Sequence, residues 1–134
     1  MLTVSAIVTP MVPEPCALAV MDVSFISATR ILPALLGILT PGADVVVLVK
    51  PQFEVGRREV GRGGIVKDPA LHRRVLHGVA AAAREMGYSV RAACASPVTG
   101  AEGNREFFLH LQRDGASLDE RSLRALAEKA VGAC

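Results

Sequence analysis

The chain has 134 residues, of which 51% are hydrophobic, 21% charged and only 4% aromatic, with a net charge of +2. That length supports one domain with a real core, and with so few rings the core must be aliphatic. No apolar run approaches the roughly 18 residues of a membrane span, Met1 to Val12 lacks a basic leader region, and the net charge is too small to demand a nucleic-acid partner, so the composition reads as soluble and cytoplasmic.

The first expected strand is Ala17-Leu18-Ala19-Val20-Met21, stopped by Asp22. A helix then begins at Ser24 or Ser27, either of which can cap it. Its apolar positions Ile31, Leu32, Leu35, Leu36 and Leu39 recur at helical spacing, and Thr40-Pro41-Gly42 ends it. The next strand runs from Asp44 to Val49 and stops at Lys50. Pro51 to Lys67 is irregular and longer than connections in compact domains usually are. Asp68-Pro69 supplies the N-cap and first-turn proline of a second helix, with Leu71, Val75, Val79, Ala83 and Met86 as its stripe and Gly87 as its end. A strand over Tyr88 to Cys94, a turn-rich link from Ser96 to Asn104 and a strand from Glu106 to Leu111 follow. Ser117-Leu118-Asp119-Glu120 reads as a capping box opening a last helix with Leu123, Leu126 and Ala130.

The order β-α-β-α-β-β-α predicts an α/β domain with a mainly parallel sheet and one antiparallel strand. Continuous apolar strands of this kind are buried on both faces in parallel sheets. Ligands of such sheets bind beyond the carboxyl ends of the strands, which places Asp22 and Lys50 across one crevice. No glycine-rich strand-to-helix turn precedes Asp22, so the pattern matches the second half of a Rossmann-type domain. Plainer readings exist for each residue alone: a helix cap for Asp22, a strand end reaching water for Lys50, an edge charge for Glu106.

The long irregular segment is basic. Arg57, Arg58, Arg62 and Lys67, with Lys50, Arg73 and Arg74 nearby, outnumber Glu54, Glu59 and Asp68. Such an excess can meet phosphates, although charge alone fits a solvated loop as well. Gly56, Gly61, Gly63 and Gly64 permit backbone to approach a ligand closely. Gly61-Arg62-Gly63-Gly64 is neither a P-loop nor a dinucleotide fingerprint, because no strand leads into it. His72 and His77 share no helix face and His110 stands alone on a strand, so no metal site is expected. Cys16, Cys94 and Cys134 form no CxxC pair and read as reduced thiols.

Five stretches, in this order, carry a resemblance: Asp22-Val23-Ser24-Phe25-Ile26-Ser27, Val49-Lys50-Pro51-Gln52-Phe53-Glu54, Gly61 to Pro69, Ser96-Pro97-Val98-Thr99-Gly100, and Gly103-Asn104-Arg105-Glu106-Phe107. From about Thr9 to Arg113 the sequence resembles the TlyA (hemolysin A-like) family of ribosomal RNA 2′-O-methyltransferases, which have the FtsJ-type Rossmann fold and use S-adenosylmethionine. The resemblance implies methylation of a cytidine ribose, with ribosomal RNA or a ribosomal subunit as partner and no membrane. In FtsJ-type enzymes a Lys-Asp-Lys-Glu tetrad surrounds the target ribose. Its Asp, second Lys and Glu match Asp22, Lys50 and Glu106, and Asp22 also borders the cofactor. Arg57, Arg58, Arg62 and Lys67 then become RNA contacts.

The tetrad's first Lys, the glycine-rich cofactor turn and the small S4 RNA-binding domain of that family have no counterpart in these residues. Residues 1–134 are therefore expected to be a partial methyltransferase domain, inactive alone and short of S-adenosylmethionine contacts. One strand edge would be left uncovered, through which copies can pair. A lysine serves as a base only where burial or a neighbouring cation disfavours its ammonium form; Asp22 and Glu106 would instead hold Lys50 in place as the ammonium. The competing expectations are a non-catalytic remnant or RNA-binding module that uses the basic loop, and a membrane-active haemolysin, which the lack of a basic amphipathic helix opposes.

Overall fold

The computed structural model of the protein describes residues 14–100 and 103–132. Among these, four strands form one sheet: β1 (Cys16–Met21), β2 (Leu39–Val49), β3 (Tyr88–Ala95) and β4 (Phe107–Arg113). In space they lie in the order β1-β2-β4-β3, with β1 and β2 parallel and β4 antiparallel to both of its neighbours. So β1, β2 and β3 share one direction and β4 is the one reversed strand that the element order predicts, but because it lies between β2 and β3 only one of the three pairings is parallel and the sheet is mixed.

Strand alternation sorts the sheet into two faces. Val45, Val47 and Val49 of β2 and Phe107, Leu109 and Leu111 of β4 are fully buried on one of them. Two long helices, α3 (Pro69–Glu85) and α4 (Glu120–Gly132), cover that face. Helix α3 starts where expected: Pro69 occupies the first turn and the Asp68 side chain accepts from the Ala70 amide at 2.9 Å. Its buried face is His72, Val75, Leu76, Val79, Ala80 and Ala83, with Leu71 and Met86 at the margins. The stripe is wider than the sequence reading because the helix packs against both the sheet and α4. The start of α4 differs from the expected capping box. Asp119 is the cap, its carboxylate accepting from the Ser122 amide at 2.7 Å.

The expected helix over Ile31 to Leu39 is much shorter. A 3₁₀ turn at Ala28–Arg30 leads into α1, a single turn over Leu32–Leu35, and Leu39 is already in β2. Two interactions override the helical spacing. Leu39 pairs with Cys16 of β1, and the Cys16 amide donates to the Ile38 carbonyl at 2.6 Å. The buried Tyr88 hydroxyl donates to the Leu32 carbonyl at 2.6 Å, an acceptor a continuing helix would use. Burial pushes the Tyr88 pKa up to about 12, which keeps it a neutral donor. Ala28, Leu32 and Leu35 still reach the core. The pattern was apolar spacing without helical length.

Candidate active site

Parallel pairing sets the crevice. Met21 of β1 lies beside Val47 of β2, so both strands end on the same side of the sheet, with Asp22 and Lys50 just beyond them. Lys50 Nζ lies 2.5 Å from Asp22 Oδ1 and donates to Ser24 Oγ at 3.2 Å. The lysine side chain is 13% exposed while that of Asp22 is 50% exposed, so the pair is open on the carboxylate side. On the other flank of β2, Val49 pairs with Phe107, which puts Glu106 next to Lys50 in the adjacent strand. Glu106 is 7% exposed.

Glu106 is not held by Lys50. Gln52 Nε2 donates to Glu106 Oε2 at 3.0 Å, and Gly100 lies directly against the carboxylate, where a Cβ would overlap it. Gln52 belongs to α2, a single turn over Pro51–Glu54 that follows Lys50. Its neighbours turn the other way. Phe53 packs on Phe25 with ring centroids 4.9 Å apart. Glu54 Oε2 accepts from Ser27 Oγ at 2.6 Å and Glu54 Oε1 from the Ala28 amide at 2.8 Å. Burial raises the Glu54 pKa above its ordinary value, while these two hydrogen bonds pull it back. Phe25 is 89% exposed and its backbone sits in the left-handed region at φ 65°, a conformation a bulky side chain holds only when its surroundings enforce it.

The basic segment is built from short turns, Arg57–Glu59 and Arg62–Gly64, rather than one open loop. Arg58, Arg62 and Lys67 are exposed; the side chain of Arg57 lies outside the described residues. Gly61 is required by its own loop, not by a ligand: its amide donates to the Ile65 carbonyl at 2.8 Å, and a Cβ there would collide with that oxygen. Buried Asn104 ties this segment to the link before β4, accepting from the Val66 amide and donating to the Gly64 carbonyl, both at 2.9 Å. His72 Nε2 donates to the Val66 carbonyl at 2.8 Å, and burial lowers its pKa below the ordinary value, so it serves as a neutral strut. Among the described residues no cluster of three or more His, Cys, Asp or Glu is placed to hold a metal, and no helix is long and apolar enough to cross a membrane.

Asp22, Lys50 and Glu106 thus gather at three neighbouring strand ends. Gln52, Ser24, Phe25, Glu54 and Asn104 were not assigned roles from sequence. Only Phe25 carried a usable signal, as one of four phenylalanines in a ring-poor chain and three residues past an acidic strand end.

Comparison with known proteins decides the family. The model of the FtsJ-like methyltransferases matches residues 2–113. The chain belongs to that family. This FtsJ-like chain is 44% identical over 115 residues to the 16S/23S rRNA (cytidine-2′-O)-methyltransferase TlyA of Mycobacterium tuberculosis, covering 85% of its own length and 43% of the relative's. It is 38% identical over 91 residues to Hemolysin A of Brachyspira hyodysenteriae, covering 68% of itself and 38% of that protein. A solved structure from Streptococcus thermophilus superposes with a TM-score of 0.80 at 41% identity, over 90% of this chain and 44% of that one. One from Lactococcus lactis gives 0.70 at 38% identity, over 81% and 54%. The FtsJ-like chain therefore spans less than half the length of the TlyA and Hemolysin A relatives.

Proposed function

We propose that these residues form the ribose-binding side of an S-adenosylmethionine-dependent 2′-O-methyltransferase acting on cytidine in ribosomal RNA. The observation that carries the reading is the Lys50–Asp22 pair at the ends of two parallel strands, with Glu106 at the adjoining strand end. A 2′-hydroxyl attacks only as its proton leaves, and it must be held in line with the methyl group. As a free amine Lys50 Nζ donates its two N–H groups to Asp22 and Ser24, leaving its lone pair for the proton of the ribose 2′-hydroxyl. That fixes the oxygen's position and places an amine at the departing proton. A second lysine alongside, as in the family tetrad, would favour the free amine that accepts it. Glu106, oriented by Gln52, keeps an oxygen for a neighbouring ribose hydroxyl.

Bound S-adenosylmethionine supplies the methyl group. The residues fit it in part: the half-exposed Asp22 offers one acceptor for an ammonium or hydroxyl, and the glycine-rich turn that would carry the amino-acid end is not among them. The exposed Phe25 ring suits stacking on an unpaired base, the usual way proteins read single-stranded RNA. Arg57, Arg58, Arg62 and Lys67 suit its phosphates.

The test is single-turnover methyl transfer to ribosomal subunits by the longest product of the reading frame that contains these residues. Lys50→Ala is expected to lower the rate by roughly a hundredfold or more, the usual loss of a proton-handling group, with RNA affinity little changed. A near-parental rate would overturn the mechanism. Salt-dependent RNA binding by a parent that transfers no methyl group would establish the RNA-binding module instead.

A further inference from the structure

The α2 turn follows Lys50 directly, and its side chains reach both neighbouring strand ends. Gln52 grips Glu106 on the β4 side, while Phe53 and Glu54 grip the loop that follows β1. The Glu54 contacts are the shortest of these and span residues far apart in sequence. One carboxylate oxygen takes the Ser27 hydroxyl and the other the Ala28 amide. Ser27 is also the cap of the following 3₁₀ turn, its hydroxyl accepting from the Thr29 amide at 3.2 Å. The loop so held contains Asp22, Ser24 and Phe25, the last in a left-handed conformation that nothing in its own sequence favours.

We propose that Glu54 is a positioning residue. By clamping Ser27 and Ala28 it fixes the β1 loop against the Lys50 turn, and so sets both the Asp22–Lys50 pair and the aim of the exposed Phe25 ring. It touches no reacting atom; it acts through the loop. Its value for catalysis rests on the function proposed above, but the clamp itself does not. A half-buried carboxylate with a raised pKa, kept where burial disfavours its charge, fits a group retained for geometry.

The clamp is read first without any activity, by hydrogen exchange and NMR on the 134-residue protein. Glu54→Ala is expected to speed exchange of the Ala28 amide by about tenfold or more, the worth of one charge-assisted hydrogen bond. It should also move the Phe25 ring signals away from the positions set by the tilted contact with Phe53, with amides of residues 70–85 unchanged. Glu54→Gln keeps an acceptor for Ala28 and a donor for Ser27, and should restore both readouts to within a few-fold of the parent. If Glu54→Ala unfolds the protein, Ser27→Ala, which removes one arm, is expected to give the same changes at smaller amplitude. Parental exchange at Ala28 in the alanine variant that folds, or no rescue by glutamine, overturns the proposal. Methyl transfer by the longest product of the reading frame is the second arm, where Glu54→Ala should lower the single-turnover rate and Glu54→Gln should recover it. A parent without transfer but with the exchange result intact refutes the proposed function and leaves the clamp standing.

Discussion

The two faces of the sheet have similar sequences and different fates. On the covered face Val45, Val47, Leu109 and Leu111 have no exposed surface at all. On the opposite face Leu18 and Val20 are 60% and 73% exposed, and Val46, Leu48 and Phe108 are half-buried. Register ties these into one strip, because Val20 lies beside Val46 and Leu48 beside Phe108. Strand β2 is apolar throughout from Val45 to Val49, a composition suited to burial on both sides. Among the described residues the two long helices lie on the face of Val45, Val47 and Val49, while Leu18 and Val20 on the other face meet solvent.

The sharpest way to break this comparison is to cut equal holes in each face. Leu109→Ala should cost about 2–5 kcal/mol of unfolding free energy, the range for a buried leucine. Leu48→Ala should cost less than half as much, because its side chain already meets solvent. Equilibrium urea unfolding of both variants decides it, and equal losses would mean the second face is covered after all.

The next effect is association. The described sheet has two edge strands, β1 and β3; β3 carries Arg91, whereas none of the six residues of β1 is charged or proline, so β1 lacks the usual guards against edge pairing. The protein is expected to self-associate through β1 in a concentration-dependent way, and Val20→Lys to shift it toward monomer. Sedimentation across a concentration series checks this; a parent that is monomeric throughout refutes it.

The smallest effect concerns the helical cover. Asp119→Ala should destabilise by about 1 kcal/mol, as loss of an N-cap does, and Ser117→Ala by no more than a few tenths. The reverse order in thermal melts would restore the capping box read from sequence.

Much of this was legible before the structure. The strand end at Val49 and the pairing of Asp22 with Lys50 follow from apolar runs ended by single charged residues, and the start of β3 at Tyr88 and the Asp68 cap follow from Gly87 and Asp68-Pro69, whereas β2 begins at Leu39 rather than at Asp44. The short α1 was not legible, because Ile31 to Leu39 has helical spacing that Tyr88 and Cys16, distant in sequence, override. Glu106 was placed at the correct strand end, but its partner Gln52 was hidden, since an amide within a turn gives no periodic signal. Gly61 reads as a place where backbone can approach a ligand, and Gly100 only as part of a turn-rich link. They are close approaches, one to the Ile65 carbonyl and one to the Glu106 carboxylate.

The reversed strand has a consequence for how the molecule is made. β4 is the last of the four strands in the chain, yet it lies between β2 and β3. During synthesis β1 and β2 can pair as soon as they leave the ribosome, but β2 must wait for residues 107–113 before its other edge is satisfied. Until then β3 has no strand to join, and two apolar edges stand open at once. Such late closure of distant contacts slows folding and exposes the nascent chain to aggregation. The strand that carries Glu106 to Lys50 is therefore also the one whose arrival ends the protein's most vulnerable interval.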